Sequence, residues 1–590
     1  METIIVRTTL NILLTLLIIG IGACPVRAAD PVDVVIYGIE GEALENVKAA
    51  LSLPSGLVRD GTVNLPWLQR FQEEIPEKAR ESLEPFGYYD AKVGTTLQNP
   101  GKNEYRVLVG VFPGRPVLIT EISVRVRGAG AEEQAVKNLA TAFPLRKGEV
   151  LNHSSYEKGK ELLKAKAVEL GYLEADFPTH EIRVSRGEAT ARIALELDTG
   201  TRYSFGRTTF NGAPQYPQRF LERYLDYKPG ETFSQQKLGQ SQLNLAMSDR
   251  FKGVVVTRDR RNAKDAVMPV MVELSPLPRR RLRPGIGYGT DTGVRGTVKY
   301  KDVNLFLLGH ELNAEINISE RLQGIAAGYV APSYRDINSS MGLQFNLQRE
   351  ETDTYTTSLA SLEGNVNRSF LRGQVGTVYL KLQQEDSTIN LQENKTFLVL
   401  PGLRFSHRRF DNPLRPTLGY RYDLEARGTH QSIGSGISFI QFIAEGRVIV
   451  PLPWRFSLIS RAKGGVTIQD DPLRDMPASL RFFAGGDRSV RGYAYQSLGP
   501  KDVTGKVVGG KNLLTASLEL ERALFKDWGV AAFFDIGNAF NSLSNVRLYK
   551  GAGVGARYYT PIGALQLDVA RQIGVDNPAF RIHFTVGFEL

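Results

Sequence analysis

The sequence is poor in the residues on which disulfide-stabilised, thiol-dependent and metal-binding proteins rely. Its 590 residues include one cysteine, Cys24, and six histidines. Cys24 lies in an N-terminal segment that we expect to be removed, so the mature chain is predicted to have no disulfide framework and no cysteine nucleophile. No two histidines have the spacing of metal ligands, and the sequence therefore predicts no metal site.

Long apolar runs and dense basic runs are scarce as well. The apolar stretch 10–21 is shorter than the roughly 20 residues that a transmembrane helix needs. The formal net charge is +10, and the basic run that stands out is the three arginines at 279–281. These features argue against a helical membrane protein and predict no nucleic-acid partner.

The apolar stretch does have the features of an export signal. Arg7 precedes it, and Val26-Arg27-Ala28 follows it with a small-residue cleavage pattern. We predict a secretory signal peptide over 1–28 that is cleaved after Ala28. The alternative is a lipoprotein signal, in which Cys24 is lipidated and becomes the first residue.

Motifs of catalysis and nucleotide binding are not found either. The glycine-rich stretch 551–555 continues as a strand, whereas a phosphate loop opens a helix. Gly434-Ser435-Gly436 lacks the spacing of a nucleophile elbow. We therefore expect a protein that is not an enzyme and that takes no cofactor.

The N-terminal half repeats one unit of roughly 80 residues. An apolar helix end followed by Gly and Tyr occurs at Gly87 and again at Gly171, and a Gly-Glu pair before a helix occurs at Gly148 and Gly230. Glycine after a helix suits a left-handed C-cap. The repeat predicts three tandem domains, at 29–115, 116–201 and 202–278.

Each unit is predicted to have the element order β-α-α-β-β. In the first unit, apolar spacing over 68–83 predicts a helix that Pro76 kinks or restarts. In the second, helices are predicted over 132–143 and 154–170, the latter opened by a capping box of Ser154 and Glu157. The edges of such small sheets suit strand addition by an extended client; passive spacer domains are the alternative.

Residues 279–590 consist of short alternating segments without a convincing helix. At about 19 residues per strand and connection they predict roughly sixteen transmembrane strands. Longer polar loops are predicted at 386–395, 470–511 and 540–550. The last segment alternates to the end of the sequence, with one apolar face of Phe580, Ile582, Phe584, Val586, Phe588 and Leu590. The predicted fold class is therefore α+β plus all-β membrane, with three β-α-α-β-β domains before a sixteen-stranded antiparallel β-barrel.

The stretch 485–493 in the longest of these loops, Gly-Gly-Asp-Arg-Ser-Val-Arg-Gly-Tyr, suits a backbone that folds back on itself. Strand parity places Glu519 and Asp535, on the next two strands, opposite to their apolar neighbours and so toward the lumen. An in-folded Arg491 would meet both carboxylates, and its planar five-donor fork suits such a site. Solvated arginines and solvated lumenal acids are the alternative.

The first barrel strand carries Gly285, Gly287 and Gly289 on one face, and glycine weakens a strand. In a closed barrel this strand pairs with the last one, whose seam residues are predicted to be Phe584, Val586 and Phe588. We therefore expect the seam to be the weakest ladder. If it opens toward lipid, a client strand must satisfy its backbone groups, because lipid cannot.

Val490-Arg491-Gly492-Tyr493 resembles the VRG(F/Y) signature in the sixth extracellular loop of the BamA/TamA-type outer-membrane insertase superfamily. The β-α-α-β-β units resemble POTRA domains, and three of them before sixteen strands are most similar to the TamA type. The resemblance implies that Arg491 is held by the acids of an S-x-E-like strand and an F-x-D-x-G-like strand. The matching residues are Ser517 with Glu519, Phe533 with Asp535 and Gly537, and the loop residues Gly485, Gly486, Val490, Gly492 and Tyr493.

The resemblance also implies a location in a Gram-negative type of outer membrane, with the N-terminal domains in the periplasm. The expected function is to assist the assembly or secretion of outer-membrane β-barrel proteins such as autotransporters, by client strand addition at the seam. Expected partners are unfolded outer-membrane protein clients, the lipid bilayer and an inner-membrane-anchored TamB-like protein. The alternative is a two-partner secretion transporter that exports a polypeptide through the lumen, and a passive porin with appended domains is a third class.

Overall fold

The computed structural model describes residues 31–59, 62–101, 103–390, 392–412, 415–544, 546–560 and 563–587. The expected signal peptide with Cys24, and the predicted seam residue Phe588, lie outside the described residues. The described chain forms two compact units. One contains the residues up to Gly206 together with 229–236 and 260–268, and the other contains 207–228, 237–259 and the residues from 269 onward.

The first module is a three-stranded sheet covered by two helices. Its elements are β1 (Val32–Tyr37), α1 (Gly41–Ala50), a hairpin of β2 (Val58–Arg59) and β3 (Thr62–Val63), α2 (Leu65–Leu83), β4 (Lys92–Gly101) and β5 (Glu104–Phe112). β1 lies next to β5 and parallel to it, and β4 is antiparallel to β5, so the sheet order is β1-β5-β4.

Helix α2 passes through Pro76 without a restart, so of the two predicted effects the kink alone stays a prediction. Pro76 is half-buried, while Leu68, Phe71 and Ile75 on the packed face are almost fully buried. Burial of this apolar face stabilises the helix by more than the one backbone hydrogen bond that proline removes.

The second module repeats the arrangement with the sheet order β6-β8-β7. Its longer helix begins at His153 and not at the predicted capping box, because Asn152 is the N-cap and its Oδ1 accepts a hydrogen bond of 3.0 Å from the Ser155 amide. The elements are β6 (Leu118–Arg127), α3 (Gln134–Thr141), α4 (His153–Glu169), β7 (Asp176–Ser185) and β8 (Thr190–Asp198).

A third sheet has the order β10-β11-β9. Its module follows the predicted β-α-α-β-β order, as the second does, while the first has the β2–β3 hairpin in addition between its two helices. The elements are β9 (Ser204–Asn211), α5 (Gln218–Glu222), α6 (Gln235–Ala246), β10 (Phe251–Arg258) and β11 (Val267–Pro276).

The repeated glycines form two equivalent joints. Gly87 and Gly171 have left-handed φ angles of +83° and +96°. The Gly87 carbonyl accepts a hydrogen bond from the Val117 amide, and the Gly171 carbonyl accepts one from the Tyr203 amide, both of 2.9 Å. Each glycine therefore ends a helical segment and also binds the chain where the next module begins.

A closed antiparallel barrel of sixteen strands follows, as predicted. Its strands are β12 (Arg280–Gly289), β13 (Gly293–Leu305), β14 (His310–Ser319), β15 (Leu322–Pro332), β16 (Ser339–Glu351), β17 (Tyr355–Ser369), β18 (Gln374–Ile389), β19 (Gln392–Phe410), β20 (Gly419–Thr429), β21 (Phe439–Leu452), β22 (Phe456–Gln469), β23 (Asn512–Ala523), β24 (Trp528–Phe540), β25 (Tyr549–Thr560), β26 (Gly563–Ile573) and β27 (Phe580–Gly587).

The prediction of a long loop at 386–395 is wrong. Residues 386–395 mostly continue β18 and β19, which pair as far as Ile389 and Gln392. This stretch is polar, and polar residues also suit strands that extend past the apolar band of a barrel. Polarity alone therefore did not distinguish a loop from an extended hairpin.

Alternation of side chains gives the barrel an apolar outer face. Ile286, Ile318 and Phe442 are exposed on it, as expected for a wall that faces lipid. None of the helices in the described part of the chain is both long and apolar enough to cross a membrane.

Within the second compact unit, Arg250 ties the third module to the barrel turn between β13 and β14. Its guanidinium donates hydrogen bonds of 2.9 Å to the carbonyls of Val303 and Gly309 and to Glu311. Phe220 lies beneath it, with 5.0 Å between Arg250 Cζ and the ring centroid. A buried cation with these partners fixes the turn between β13 and β14.

We predict that Gly87→Ala loosens the joint between the first two modules. The new Cβ would lie 2.7 Å from the Leu151 carbonyl oxygen, in addition to the strain of about 1–2 kcal/mol of a left-handed alanine. Amide hydrogen exchange should become faster in the segment that contains Val117. Gly148→Ala is the matched control, because Gly148 has a φ of +90° but open space at its Cβ position. Equal effects of the two variants would show that the close approach at Gly87 does not matter.

Candidate functional site: an arginine in the barrel lumen

The segment 470–511 between β22 and β23, hereafter the lumen loop, packs against the inner wall of the barrel. It has an apolar core in which Val490 is fully buried, and Leu513 and Ala539 of the wall complete it. The loop residues of this core are Phe482, Ala484, Val490, Tyr493 and Leu498. Apolar burial therefore holds the loop inward before any charge is considered.

Arg491 is the polar centre of the loop and is 2% exposed. Its Nε and Nη2 donate to the two carboxylate oxygens of Asp535, at 2.7 and 2.9 Å, and its backbone amide also donates to Asp535. Its Nη1 donates to Glu519 at 2.7 Å, and Nη2 lies 3.3 Å from the Ser517 hydroxyl oxygen. The structure thus brings Arg491, Glu519 and Asp535 together in the fork geometry of a bidentate pair.

Phe533 supports the guanidinium from one face, with 3.3 Å between Arg491 Cζ and the ring centroid. An aromatic face attracts a cation, most strongly where water is excluded. Burial alone would lower the pKa of Arg491, but the hydrogen bond and charge of Asp535, followed by the charge of Glu519, raise it. Arg491 is therefore held in its charged form.

Two further residues of the network, Asp568 and Arg557, were missed by the sequence reasoning. Asp568 accepts a hydrogen bond of 3.0 Å from Arg491. Arg557 donates to both Glu519 and Asp568, at 2.8 and 2.5 Å. A signal for both exists in the alternation of their strands, since Leu567 and Val569 are exposed on the outer face and Asp568 between them is buried.

Three glycines on β25 make room for this network. A Cβ at Gly551 would lie 2.0 Å from the Arg491 carbonyl oxygen, one at Gly553 would lie 2.6 Å from the Phe533 ring, and one at Gly555 would overlap the carboxylate of Asp568. The glycine-rich stretch 551–555 is thus a part of the barrel wall whose glycines have no side chains where the lumen loop packs against it. Its glycines allow the close approach of another backbone.

The glycines of the loop motif meet a different requirement. Gly485, Gly486 and Gly492 have φ angles of +100°, +105° and +92°, which other residues rarely adopt. Tyr493 turns its ring edge-on to Tyr549, with 5.5 Å between the centroids. The motif therefore reverses the chain on both sides of Arg491 and anchors it beyond the turn.

The seam joins the first barrel strand, β12, to the last one, β27. In the described residues Tyr288 pairs with Val586 and Gly289 pairs with Thr585. Phe584 adds contacts through its backbone, since its carbonyl accepts from the Thr290 amide at 3.0 Å. Gly285 and Gly287 lie on β12 outside these pairs, and a Cβ at Gly287 would lie 2.7 Å from the Val586 carbonyl oxygen.

We predict that Gly551→Ala displaces the lumen loop. Its Cβ would meet a backbone oxygen, which cannot move aside as a flexible side chain can. Protease cleavage within the lumen loop should become faster while the barrel stays folded. Gly364→Ala is the matched control, because this barrel glycine has open space at its Cβ position. A loop that resists protease equally in both variants would contradict the prediction.

Comparison with known proteins agrees with this architecture. Residues 304–590 match the family model Omp85 superfamily domain, and residues 33–113 match the model POTRA domain TamA domain 1. The chain resembles the crystal structure of BamA from Haemophilus ducreyi lacking POTRA domains 1-3, with a TM-score of 0.66 and 16% identity over 80% of this chain and 99% of that one. At this identity the likeness concerns the fold alone.

Two relatives carry the name outer membrane protein assembly factor BamA. The protein from Nitratidesulfovibrio vulgaris is 24% identical over 426 residues, which are 69% of this chain and 53% of that protein. The protein from Neorickettsia risticii is 20% identical over 472 residues, or 75% and 62%. The chain thus spans between half and two thirds of the length of these curated relatives. The matches thus show an Omp85 superfamily domain in the barrel and a TamA-type POTRA domain in the N-terminal part of the chain, and they support the BamA/TamA-type superfamily.

Proposed function

We propose that this chain is an outer-membrane insertase subunit that assists the assembly or secretion of outer-membrane β-barrel proteins, autotransporters among them. The observation that carries the proposal is the seam between β12, with its glycines, and β27, beside a loop anchored in the lumen. The matched relatives named assembly factors support the same class of function. In this proposal the barrel lies in the outer membrane of a Gram-negative type of cell and the modules lie in the periplasm.

The seam supplies a place for a client strand. If β12 and β27 separate, the backbones of Tyr288 and Gly289 lose their partners on Val586 and Thr585. Lipid offers no hydrogen bonds, so an incoming strand that pairs with this edge gains bonds that the bilayer cannot provide. A client hairpin would thus begin to form on the insertase itself, and the wall behind it would remain intact.

The modules supply places for earlier contacts. In the described residues the sheet order β1-β5-β4 leaves the outer edges of β1 and β4 without a neighbouring strand, and β6-β8-β7 does the same for β7, whereas Val150 bridges to the start of β6. Extended unfolded clients bind such edges by strand addition. We assign an inner-membrane-anchored TamB-like partner to the same modules, in keeping with a TamA type of protein. This mechanism uses no catalytic side chain, cofactor or nucleic acid.

A second candidate function is export of a polypeptide through the lumen, as in two-partner secretion. It is favoured by a cavity of about 570 Å³ against β12–β19, lined by charged side chains that include Arg283, Lys299, Lys381 and Glu315. In this case the lumen loop must leave the barrel, whereas strand addition at the seam leaves it in place.

A disulfide across the seam distinguishes the two functions. Gly289 and Thr585 lie opposite each other, and cysteines at such paired positions are close enough to bridge. We expect oxidised Gly289→Cys/Thr585→Cys to remain a heat-modifiable barrel but to stop assembling clients in reconstituted membranes, and reduction should restore the activity.

The matched control is Ala444→Cys/Gly464→Cys, which bridges β21 and β22 at paired positions away from the seam. Oxidation of this control should leave client assembly unchanged. Normal assembly by the oxidised seam variant would contradict the proposal and favour export through the lumen.

Removal of Arg491 should release the lumen loop and reduce client assembly. Arg491→Ala leaves buried Asp535 without its guanidinium partner and leaves Glu519 and Asp568 with Arg557 alone. Loss of one partner of a buried pair costs about 3–5 kcal/mol. Protease cleavage of the loop should become much faster, and Arg491→Lys should restore little protection because the fork is lost.

Arg474→Ala is the control within the same loop. The Arg474 side chain is mostly exposed and lies 3.8 Å from Asp475, so its removal should change neither the loop nor the activity. Full protease resistance of Arg491→Ala would show that the arginine does not hold the loop.

A further inference from the structure

The lumen loop touches both edges of the seam through one residue. The Asp487 carboxylate accepts hydrogen bonds from His583 Nδ1 and, at 3.4 Å, from the Thr585 hydroxyl, both on β27. Its backbone amide donates to Asp291 Oδ2 at 2.6 Å, and Asp291 lies in the turn after β12. Asp487 therefore stands between the turn of the first barrel strand and the body of the last one.

The contact between the Asp487 amide and Asp291 is tightly packed. Asp291 is 7% exposed, and a Cβ at Gly486 would lie 2.4 Å from its Oδ2. Asp291 Oδ1 has no hydrogen-bond partner in the described chain, so the accepted amide is the contact that anchors this buried side chain. A buried acceptor that loses its donor bears the full cost of desolvation.

His583 is arranged as a donor to Asp487. Its Nε2 lies 3.0 Å from the Gly492 amide, which donates to it, so Nε2 carries no hydrogen and Nδ1 does. Asp291, Asp487 and His583 place their polar atoms within 4.8 Å of one another, as metal ligands would. A metal on Nδ1 would require the hydrogen on Nε2, against the Gly492 amide, and the geometry therefore favours direct contact between the residues.

We propose that Asp487 and Asp291 form a clasp that holds the seam shut at its loop end. A hydrogen bond to a carboxylate is stronger than one between neutral groups, and here it adds to the pairing of Tyr288 with Val586 and of Gly289 with Thr585. The clasp rests on the proposed function in one respect, because a seam that opens for clients is one that needs a contact to keep it closed. Asp291 and Asp487 are thus positioning residues, which act through the seam and touch no client.

The clasp is tested on the full-length barrel in lipid without any client. Asp291→Ala removes the acceptor, and we expect amide hydrogen exchange over 580–587 to become about tenfold faster or more, as befits loss of a hydrogen bond to a charged group. Asp291→Asn keeps an oxygen that can accept the Asp487 amide and should exchange nearly as slowly as the parent. Exchange in β18, on a distant part of the wall, should not change in either variant.

A second pair of variants addresses the other half of the clasp. Asp487→Ala removes the acceptor for His583 and Thr585 and should also speed exchange over 580–587. Asp502→Ala is its control, because Asp502 lies in the same loop but accepts from Asn390 and Thr504 away from the seam. Since the two contacts lie in series, the double variant Asp291→Ala/Asp487→Ala should exchange no faster than the faster single variant.

The outcomes separate the clasp from the proposed function. Unchanged exchange in Asp291→Ala, equal acceleration in Asp291→Asn, or additive effects in the double variant would each overturn the clasp. If Asp291→Ala does not yield a heat-modifiable barrel, unchanged exchange in Asp487→Ala overturns it instead. Client assembly is measured separately: faster seam exchange without any change in assembly supports the clasp and contradicts client entry at the seam.

Discussion

A guanidinium buried among carboxylates is the interaction on which the candidate site depends. A charge removed from water is tolerated only where partners with good geometry surround it. Arg491 meets this condition through Asp535, Glu519 and Asp568, and Arg557 meets it through two of the same acids. If the loop moved out, Arg491 would leave with it and buried Asp535 would lose its guanidinium partner, while Arg557 on β25 would still pair with Glu519 and Asp568.

The same network links neighbouring strands. Glu519 lies on β23, Asp535 on β24, Arg557 on β25 and Asp568 on β26. The loop is thus fastened to the four strands that precede the last one, and from there it reaches across β27 to the turn after β12. A part of the wall that is braced by this network therefore stands next to the seam, where the first and last strands meet.

Much of this could be predicted from sequence because strands and repeats obey simple periods. The two-residue period of a strand is enough to put Glu519 and Asp535 on the inner face, without knowledge of any contact. The recurrence of the Gly87 pattern at Gly171 marks equivalent positions in successive modules. What failed needed information from elsewhere in the fold. Asp568 joins Arg491 only through the register of β26, Pro76 is tolerated only because its helix packs well, and the 386–395 hairpin extends because its polar strands pair with each other.

The inward loop has a consequence for the way the barrel forms. The lumen loop contacts several parts of the barrel wall. Besides the strands near β27 it reaches β16, where the Tyr495 hydroxyl donates a hydrogen bond to Glu350. A chain segment of this size with apolar and charged anchors cannot thread into a finished cylinder. We infer that the loop settles onto the inner wall while the sheet is still open, and that pairing of β12 with β27 is the final event of folding. The seam would then be the last contact to form, because it requires long-range closure of the chain ends. Opening of the seam would reverse only that last step of folding.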